Sequence, residues 1–415
     1  MQFTDALQGI KVLDFSWVAA GPVTSLWFAN FGATVIKVEH AGRLDTVRGT
    51  SPFKGDKYHV DGSYWFASCN TNKYGITLDL NKPKGMEIAH RLVRWADVIV
   101  ENFSPGTMKK WGLDYERVRA INERVIMVSL STQGQTGPHA QSPGLGAMVM
   151  GLSGASNLGG WPDRPPSCAI TPYPDWVAPL GASFSVVSAL DYRERTGKGQ
   201  YIDLSQCEAT IQFLGGAVLD YTVNGRVWQR AGNQLIASET PYAAPHGAYP
   251  CRGDDRWIAI AVFSDQEWER LLDLMGRPDW SRDHKFSTLL SRCEHTEDLD
   301  KHMALWTAGF EPRPLMELLQ ANGITAGVVH DQRGVYEDPQ LNSRGHFSHL
   351  EHPVLGRYHV EVPAAHLSET PARMRKAAPT LGGDNDYVYL EVLGLSQDEY
   401  DLLIAEEVIS LFESG

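Results

Sequence analysis

Residues 9–39 read GIKVLDFSWVAAGPVTSLWFANFGATVIKVE. The stretch opens on a short apolar strand, KVLDF at 11–15, and turns through Ser16 and Trp17. An apolar segment at 22–31 follows, and after Gly32 comes a second strand, ATVIKVE at 33–39. Two apolar strands joined by a connection of helix length predict a βαβ unit, and with it a parallel sheet.

The same alternation continues outward. Pro83 opens a helical pattern in which Ile88, Leu92, Trp95 and Ala96 fall at helical spacing. DVIVE at 97–101 and VIMVSLS at 125–131 read as buried strands separated by a helical segment around 115–121. From Asp175 an apolar segment runs to about residue 191 and ends at RERTGKGQ, a basic, glycine-containing helix stop. YIDLS at 201–205 is another strand, followed by a helical stretch to about 223. Periodicity is lost over 224–250, where Gly, Pro and Asn rise. WIAIAVF at 257–263 reads as a strand and the stretch to about 323 as mostly helical. After VVHD at 328–331 the chain reads as loop-rich, and an acidic helical tail follows Gly394. The fold class predicted is therefore α/β, with a mostly parallel sheet first and a different domain from about residue 235.

Composition narrows the function. With 415 residues, 43% hydrophobic and 21% charged, the chain can bury a core and form two or more domains. The N-terminal MQFTDALQGIKVLDF has no basic stretch followed by a long apolar one, and no apolar run reaches the ~18–20 residues that span a bilayer. Neither a signal peptide nor a membrane partner is expected. The cysteines Cys69, Cys168, Cys207, Cys251 and Cys293 are odd in number and scattered, which suits reduced thiols in a cytoplasmic protein. Net charge is −13, yet residues 1–120 hold 15 Lys and Arg against 12 Asp and Glu. The acidic bulk argues against nucleic acid, and the mildly basic first third is where a phosphate-bearing ligand is expected.

The usual nucleotide and metal motifs are missing. Asp14, Phe15, Ser16 and Trp17 stand where a GxGxxG would follow the first strand, and there is no phosphate loop, HExxH or GxSxG. His346, His349 and His352 lack metal-site spacing, so no metal and no nicotinamide is expected.

Several segments together resemble the class III CoA-transferases, the family of formyl-CoA transferase and carnitine CoA-transferase. They are the opening stretch at 9–39, NKYGITLDLNKPKG from Asn72, and ADVIVENFSPGTMKKWGLDYERVRAINERVIMVSLSTQGQTGP from Ala96. PDWVAPLGASFSVVSALDYRERTGKGQYIDLSQCEA from Pro174 follows, then DPQLNSRGHF from Asp338 and SETPARMRKAAPTLGG from Ser368. The resemblance covers most of the chain in the family's order. It implies a large Rossmann-like CoA-binding domain at 1–222 completed by about 385–415, with a linker at 223–237. A smaller α+β domain at 238–332 and a return linker at 333–384 follow, and two chains would interlock as a dimer.

The resemblance also implies chemistry: CoA passes from an acyl-CoA, succinyl-CoA among the donors, to a free carboxylic acid through mixed-anhydride and aspartyl-CoA thioester intermediates. Asp175 matches the nucleophilic aspartate, and a helix N-terminus there is expected to hold it ionised. As an isolated residue, Asp175 reads as a helix cap. The CoA contacts carry over to Val18, Ala19 and Ala20 at the first turn, Leu78 at the adenine, Asn102 and Phe103 beyond a strand, and Lys110 at the phosphates. CoA is the substrate, and no other cofactor is implied.

Departures from the family pattern are as informative. His40 stands where formyl-CoA transferase has an Arg over the adenine, and Asn81 where it has a phosphate-binding Lys, with Lys82 next door as a substitute. Ala19 replaces a Gln. Gly146 and Ala147 stand where an acidic residue is common, with Glu239 the candidate to supply the missing carboxylate. The four-glycine run is absent. α-Methylacyl-CoA racemases in the same family carry a His where this chain has Gly144-Leu145-Gly146, so a racemase reading lacks its second base, a loss that typically costs ~10²–10⁴-fold. One subunit of a hetero-oligomeric CoA-transferase is a further alternative to a homodimer. Trp17, Trp27, Trp65, Trp161 and Trp176 favour an aromatic or aryl-substituted dicarboxylic acid over oxalate.

Overall fold

The computed structural model describes residues 5–167, 171–233 and 242–412. The chain forms two compact units, one of residues 1–155, 168–215 and 343–415, the other of residues 156–167 and 216–342.

The first unit is built on six parallel strands: β1 (Lys11–Asp14), β2 (Thr34–Glu39), β3 (Tyr74–Thr77), β4 (Val98–Glu101), β5 (Ile126–Ser131) and β6 (Tyr201–Ser205). Their order is β3-β2-β1-β4-β5-β6, with the reversal of direction between β1 and β4. Neighbouring residues along each strand face opposite sides. Val12, Val35, Val98 and Ile126 therefore join one apolar cluster, while Leu13, Ile36, Ile99 and Met127 join another. Both faces are covered, as a parallel sheet requires. On the Val12 side lie the helices Ala20–Asn30 and Pro174–Thr196. The latter packs closely through Ala178, Ala182, Val186 and Ala189, all fully buried. Its opposite side leaves Leu180, Phe184 and Val187 exposed.

On the Leu13 side the helix Pro83–Trp95 joins a returning C-terminal segment. That segment also closes the β3 edge. The Gly75 N–H donates to Asp384 Oδ2 (2.8 Å), the Thr77 N–H to Asn385 Oδ1 (3.0 Å), and the Tyr389 hydroxyl to the Thr77 carbonyl (2.7 Å). An edge strand left with open amides would invite pairing with another chain.

The second unit holds an antiparallel sheet of β7 (His246–Pro250), β8 (Trp257–Ala261) and β9 (Thr325–Val329), with β8 central. Trp268, Leu271, Leu299, Met303, Leu315 and Leu319 from three helices pack on Ile258 and Ile260. The first unit also contains the hairpin of β10 (Phe347–His352) and β11 (Gly356–Glu361), paired Leu350 to Tyr358. This corrects the loop-rich reading of that region. Its histidines hide a strict alternation in which Leu350, Tyr358 and Val360 point inward. No helix among the described residues is long and apolar enough to cross a membrane.

Candidate active site

The reversal in strand order leaves a crevice at the carboxyl ends of β1 and β4, the usual ligand position in open α/β sheets. Asn102, just beyond β4, spans it. Its Oδ1 accepts from the Trp17 N–H and its Nδ2 donates to the Trp17 carbonyl, both at 2.8 Å. The Val18 N–H donates to Asp45 Oδ1 (2.9 Å), and Val18 adopts φ 67. A β-branched residue in the left-handed region is strained and persists only where its surroundings hold it. Gly21 is required beside this turn: a Cβ there would lie 2.1 Å from the Ser16 Cβ.

What holds the turn is a set of buried charges that sequence reading missed. Lys37 Nζ donates to the Ser16 carbonyl (2.7 Å) and pairs with Asp45 (3.1 Å). Lys73 Nζ pairs with Asp14 Oδ2 (3.0 Å) and donates to the Pro22 carbonyl and Asn70. Arg48 grips Glu39 through two bonds and Asp61 through a third. Burial alone would push the Asp14 carboxyl up. Lys73 and Lys37, with the hydroxyls of Ser16 and Ser25, outweigh it and hold Asp14 down at about 2. Burial in turn lowers the Lys73 ammonium to about 8.

Beside the turn is a cavity of about 430 Å³ walled by Trp17, Phe103, Trp111, Val38 and Leu78, with Arg43, His40 and Asn81 at its polar rim. Trp17 meets Phe103 edge-on at 5.6 Å, and Phe103 meets Trp111 at 5.2 Å. The structure thus brings His40, Leu78, Asn81 and Phe103 around one cavity. Val18, Ala19, Ala20 and Asn102 belong to the turn beside it, with Ala19 and Ala20 buried. Lys110 is exposed on the short helix Thr107–Trp111, whose two end residues line the cavity. Lys82 is no free substitute for a phosphate-binding lysine, because its Nζ donates to the carbonyls of Glu406 (2.6 Å) and Glu407 (3.0 Å). Beneath the Phe103 amide, burial pushes the Glu101 carboxyl up to about 7 against the pull of Ser129 and that amide.

Asp175 stands apart from the cavity, in the first turn of the helix Pro174–Thr196. Its Oδ1 accepts from Gln206 Nε2 (2.7 Å), and Gln206 follows directly on β6. Gln206 was missed, although the rule that singles out Asn102 beyond β4 applies equally to it. Burial raises the Asp175 carboxyl above its ordinary value, the Gln206 amide opposes this, and no charged group among the described residues contributes. Gly146 lies against the carboxylate: a Cβ there would fall 2.5 Å from Asp175 Oδ2. Glu239 lies outside the described residues.

The sequence pattern of CoA-transferase family III matches residues 7–385, nearly the whole chain. The chain belongs to CoA-transferase family III. Its reaction class is accordingly CoA transfer. It is 33% identical over 405 residues to the succinyl-CoA–D-citramalate CoA-transferase of Chloroflexus aurantiacus, covering 97% of this chain and 98% of that one. It is 31% identical over 409 residues to the succinyl-CoA–L-malate CoA-transferase beta subunit of the same organism, covering 97% and 98%. A crystal structure of a CAIB/BAIF family protein from Brucella suis superposes with a TM-score of 0.85 at 29% identity, over 94% of this chain and all of that one. That architecture matches the class III fold expected from sequence.

Proposed function

We propose that this family III CoA-transferase moves CoA from succinyl-CoA to a free dicarboxylic acid through a covalent intermediate on Asp175, acting as a dimer. The observation that carries the reading is the Asp175 carboxylate itself. It is half-buried, gripped by one neutral amide, and bordered by a residue without a side chain.

In the first step an Asp175 oxygen attacks the thioester carbonyl carbon. The C–S bond breaks, CoA leaves as thiolate, and an acyl-aspartyl anhydride remains. The thiolate then attacks Cγ of Asp175, releasing the donor acid and forming the aspartyl-CoA thioester. The acceptor carboxylate repeats the two steps in reverse and restores Asp175. Each step exchanges groups of similar energy, which is what covalent catalysis gains here.

The aromatic cavity suits the adenine of CoA, with Asn102 and the 17–20 turn along the pantetheine and Lys110 toward the phosphates. From β2, at the cavity, to β6, at Asp175, are four strand spacings. At about 4.8 Å each that is ~19 Å, a span suited to a ligand whose reacting sulfur ends a long arm.

Both relatives carry succinyl-CoA in their names, paired with citramalate or malate, which supports a dicarboxylic acceptor. Trp27 and Trp176 line one cavity with Tyr64 and Tyr358, which supports testing aryl-substituted acids among the acceptors. Leu180, Phe184 and Val187 form an exposed stripe at helical spacing, and such a stripe calls for a covering partner. An interlocked second copy, or a paralogous subunit as in the two-subunit malate enzyme, would supply it. A racemase would need a second base opposite Asp175, and 144–146 offer Gly-Leu-Gly.

The test is to incubate the protein with succinyl-CoA alone and then add hydroxylamine or borohydride. The Asp175 peptide should gain the mass of a hydroxamate or the reduced alcohol, and Asp175→Ala should give neither. Turnover without any trapped adduct would overturn the covalent route.

A further inference from the structure

The next inference rests on the reading of the aromatic cavity as the nucleotide site and concerns the charge that serves it. Position 40 lacks the arginine that the resemblance to formyl-CoA transferase would place there, and the structure shows where the neighbouring cations go. His40 Nε2 lies 3.4 Å from Asp79 Oδ1, and Asn81 gives both its backbone and side-chain N–H to the same oxygen at 2.9 Å. Arg48 is bound to Glu39 and Asp61, Lys82 to two backbone carbonyls, and Lys37 and Lys73 lie inside the buried charge cluster.

Arg43 differs from all of these. Its backbone N–H is fixed to the His40 carbonyl (3.0 Å), closing a tight turn after β2. Its guanidinium lies over the Trp17 ring, 5.3 Å from the centroid, at the rim of the cavity. The residue is exposed, and no carboxylate pairs with it among the described residues.

We infer that Arg43 binds a phosphate of the CoA nucleotide and makes the enzyme prefer CoA thioesters to pantetheine thioesters. A guanidinium stacked on an aromatic face keeps its N–H edge free, and that edge matches phosphate oxygens in a two-point grip. Trp17 thereby acts twice, as a wall for the adenine and as the platform that aims Arg43. The His40 imidazole, its Nε2 held beside Asp79, has no planar fork of donors with which to replace it.

The experiment compares wild type, Arg43→Ala and Arg43→Lys. CoA binding is measured by calorimetry, and transfer is measured from succinyl-CoA and from succinyl-pantetheine. Arg43→Ala should weaken CoA binding and raise the KM for succinyl-CoA by about 10- to 100-fold, the range of a charge-assisted hydrogen bond. The ratio of wild type to variant on succinyl-pantetheine should stay near one. Arg43→Lys keeps charge without the planar fork and should fall between the two. Unchanged CoA affinity in Arg43→Ala, or equal losses on both thioesters, would overturn the assignment while leaving the cavity reading intact. A wild type that binds no CoA would remove both.

Discussion

The Gly146 backbone and the Asp175 carboxylate are so close that a single methyl group on Gly146 would sit 2.5 Å from Oδ2 and 3.0 Å from Cγ. Glycine here acts through space rather than through backbone freedom: it begins an ordinary short helix, Gly146–Leu152. Gly146→Ala should therefore push the carboxylate off the Gln206 amide while the helix survives. Misplacing a reacting group by ~1 Å costs about 100-fold. Transfer should fall by about that factor, and the thermal midpoint should drop as well, because the same methyl would lie 2.5 Å from the Pro172 Cβ. Wild-type rates in Gly146→Ala would show that the carboxylate can move aside freely.

Gln206 tunes the acidity of the Asp175 carboxyl, the nucleophile of the proposed route. Burial raises the carboxyl and the Gln206 N–H lowers it, so removing the amide raises it further. On the proposed route the reactive form is the anion, so the rate should fall as pH drops through the Asp175 pKa. In Gln206→Leu the acid limb of kcat/KM should move to higher pH, and kcat at neutral pH should drop about 10-fold or more. An unmoved limb would take the amide off the carboxylate during turnover.

Asp14 answers two buried ammonium groups, and its replacement should be costly. Asp14→Asn leaves Lys73 and Lys37 short of an anion in a fully buried place. Breaking such a pair typically costs ~3–5 kcal/mol, read as a lower urea midpoint. The double variant Asp14→Asn, Lys73→Met should regain part of that loss. A single variant as stable as wild type would show that the cluster relaxes without cost.

Glu101 should make wild type less stable as pH rises. Its folded pKa, about 7, lies above the ordinary 4.5, so the folded protein holds a proton that the unfolded chain has released between those values. Stability then falls with rising pH across that window. Glu101→Gln stays neutral and can still accept the Phe103 N–H. It should be more stable than wild type at pH 8.5, by up to about 3 kcal/mol, with the gap closing below about pH 5. A pH-independent gap would remove the titration from this site.

The large sheet was legible because burial on both faces leaves a plain signature. The strands at 98–101 and 126–131, buried at every residue, and the helix from Pro83 to Trp95 stand where the apolar pattern places them. The charges beneath the cavity were not legible. Lys37 sits inside TVIKVE, and only the fold brings Asp45 to its ammonium. Gly146 read as a missing acid, since a contact made by an absent side chain leaves no trace in one dimension. Nothing in the sequence marks Arg43; Trp17, from a different strand end, comes beneath it only in the fold.

The bonds that close the β3 edge have a temporal consequence. Thr77 finds its acceptor on Asn385, 308 residues further along the chain. At about 5–20 residues per second, a ribosome takes ~15–60 s to bring that acceptor out. Throughout that interval the first strands are made, yet one flank has no native neighbour. The second unit, by contrast, has every strand and core helix within residues 216–342 and can finish while the first still waits. Nascent chains halted before residue 384 should therefore engage chaperones that hold open strand edges, and chains released beyond it should let them go.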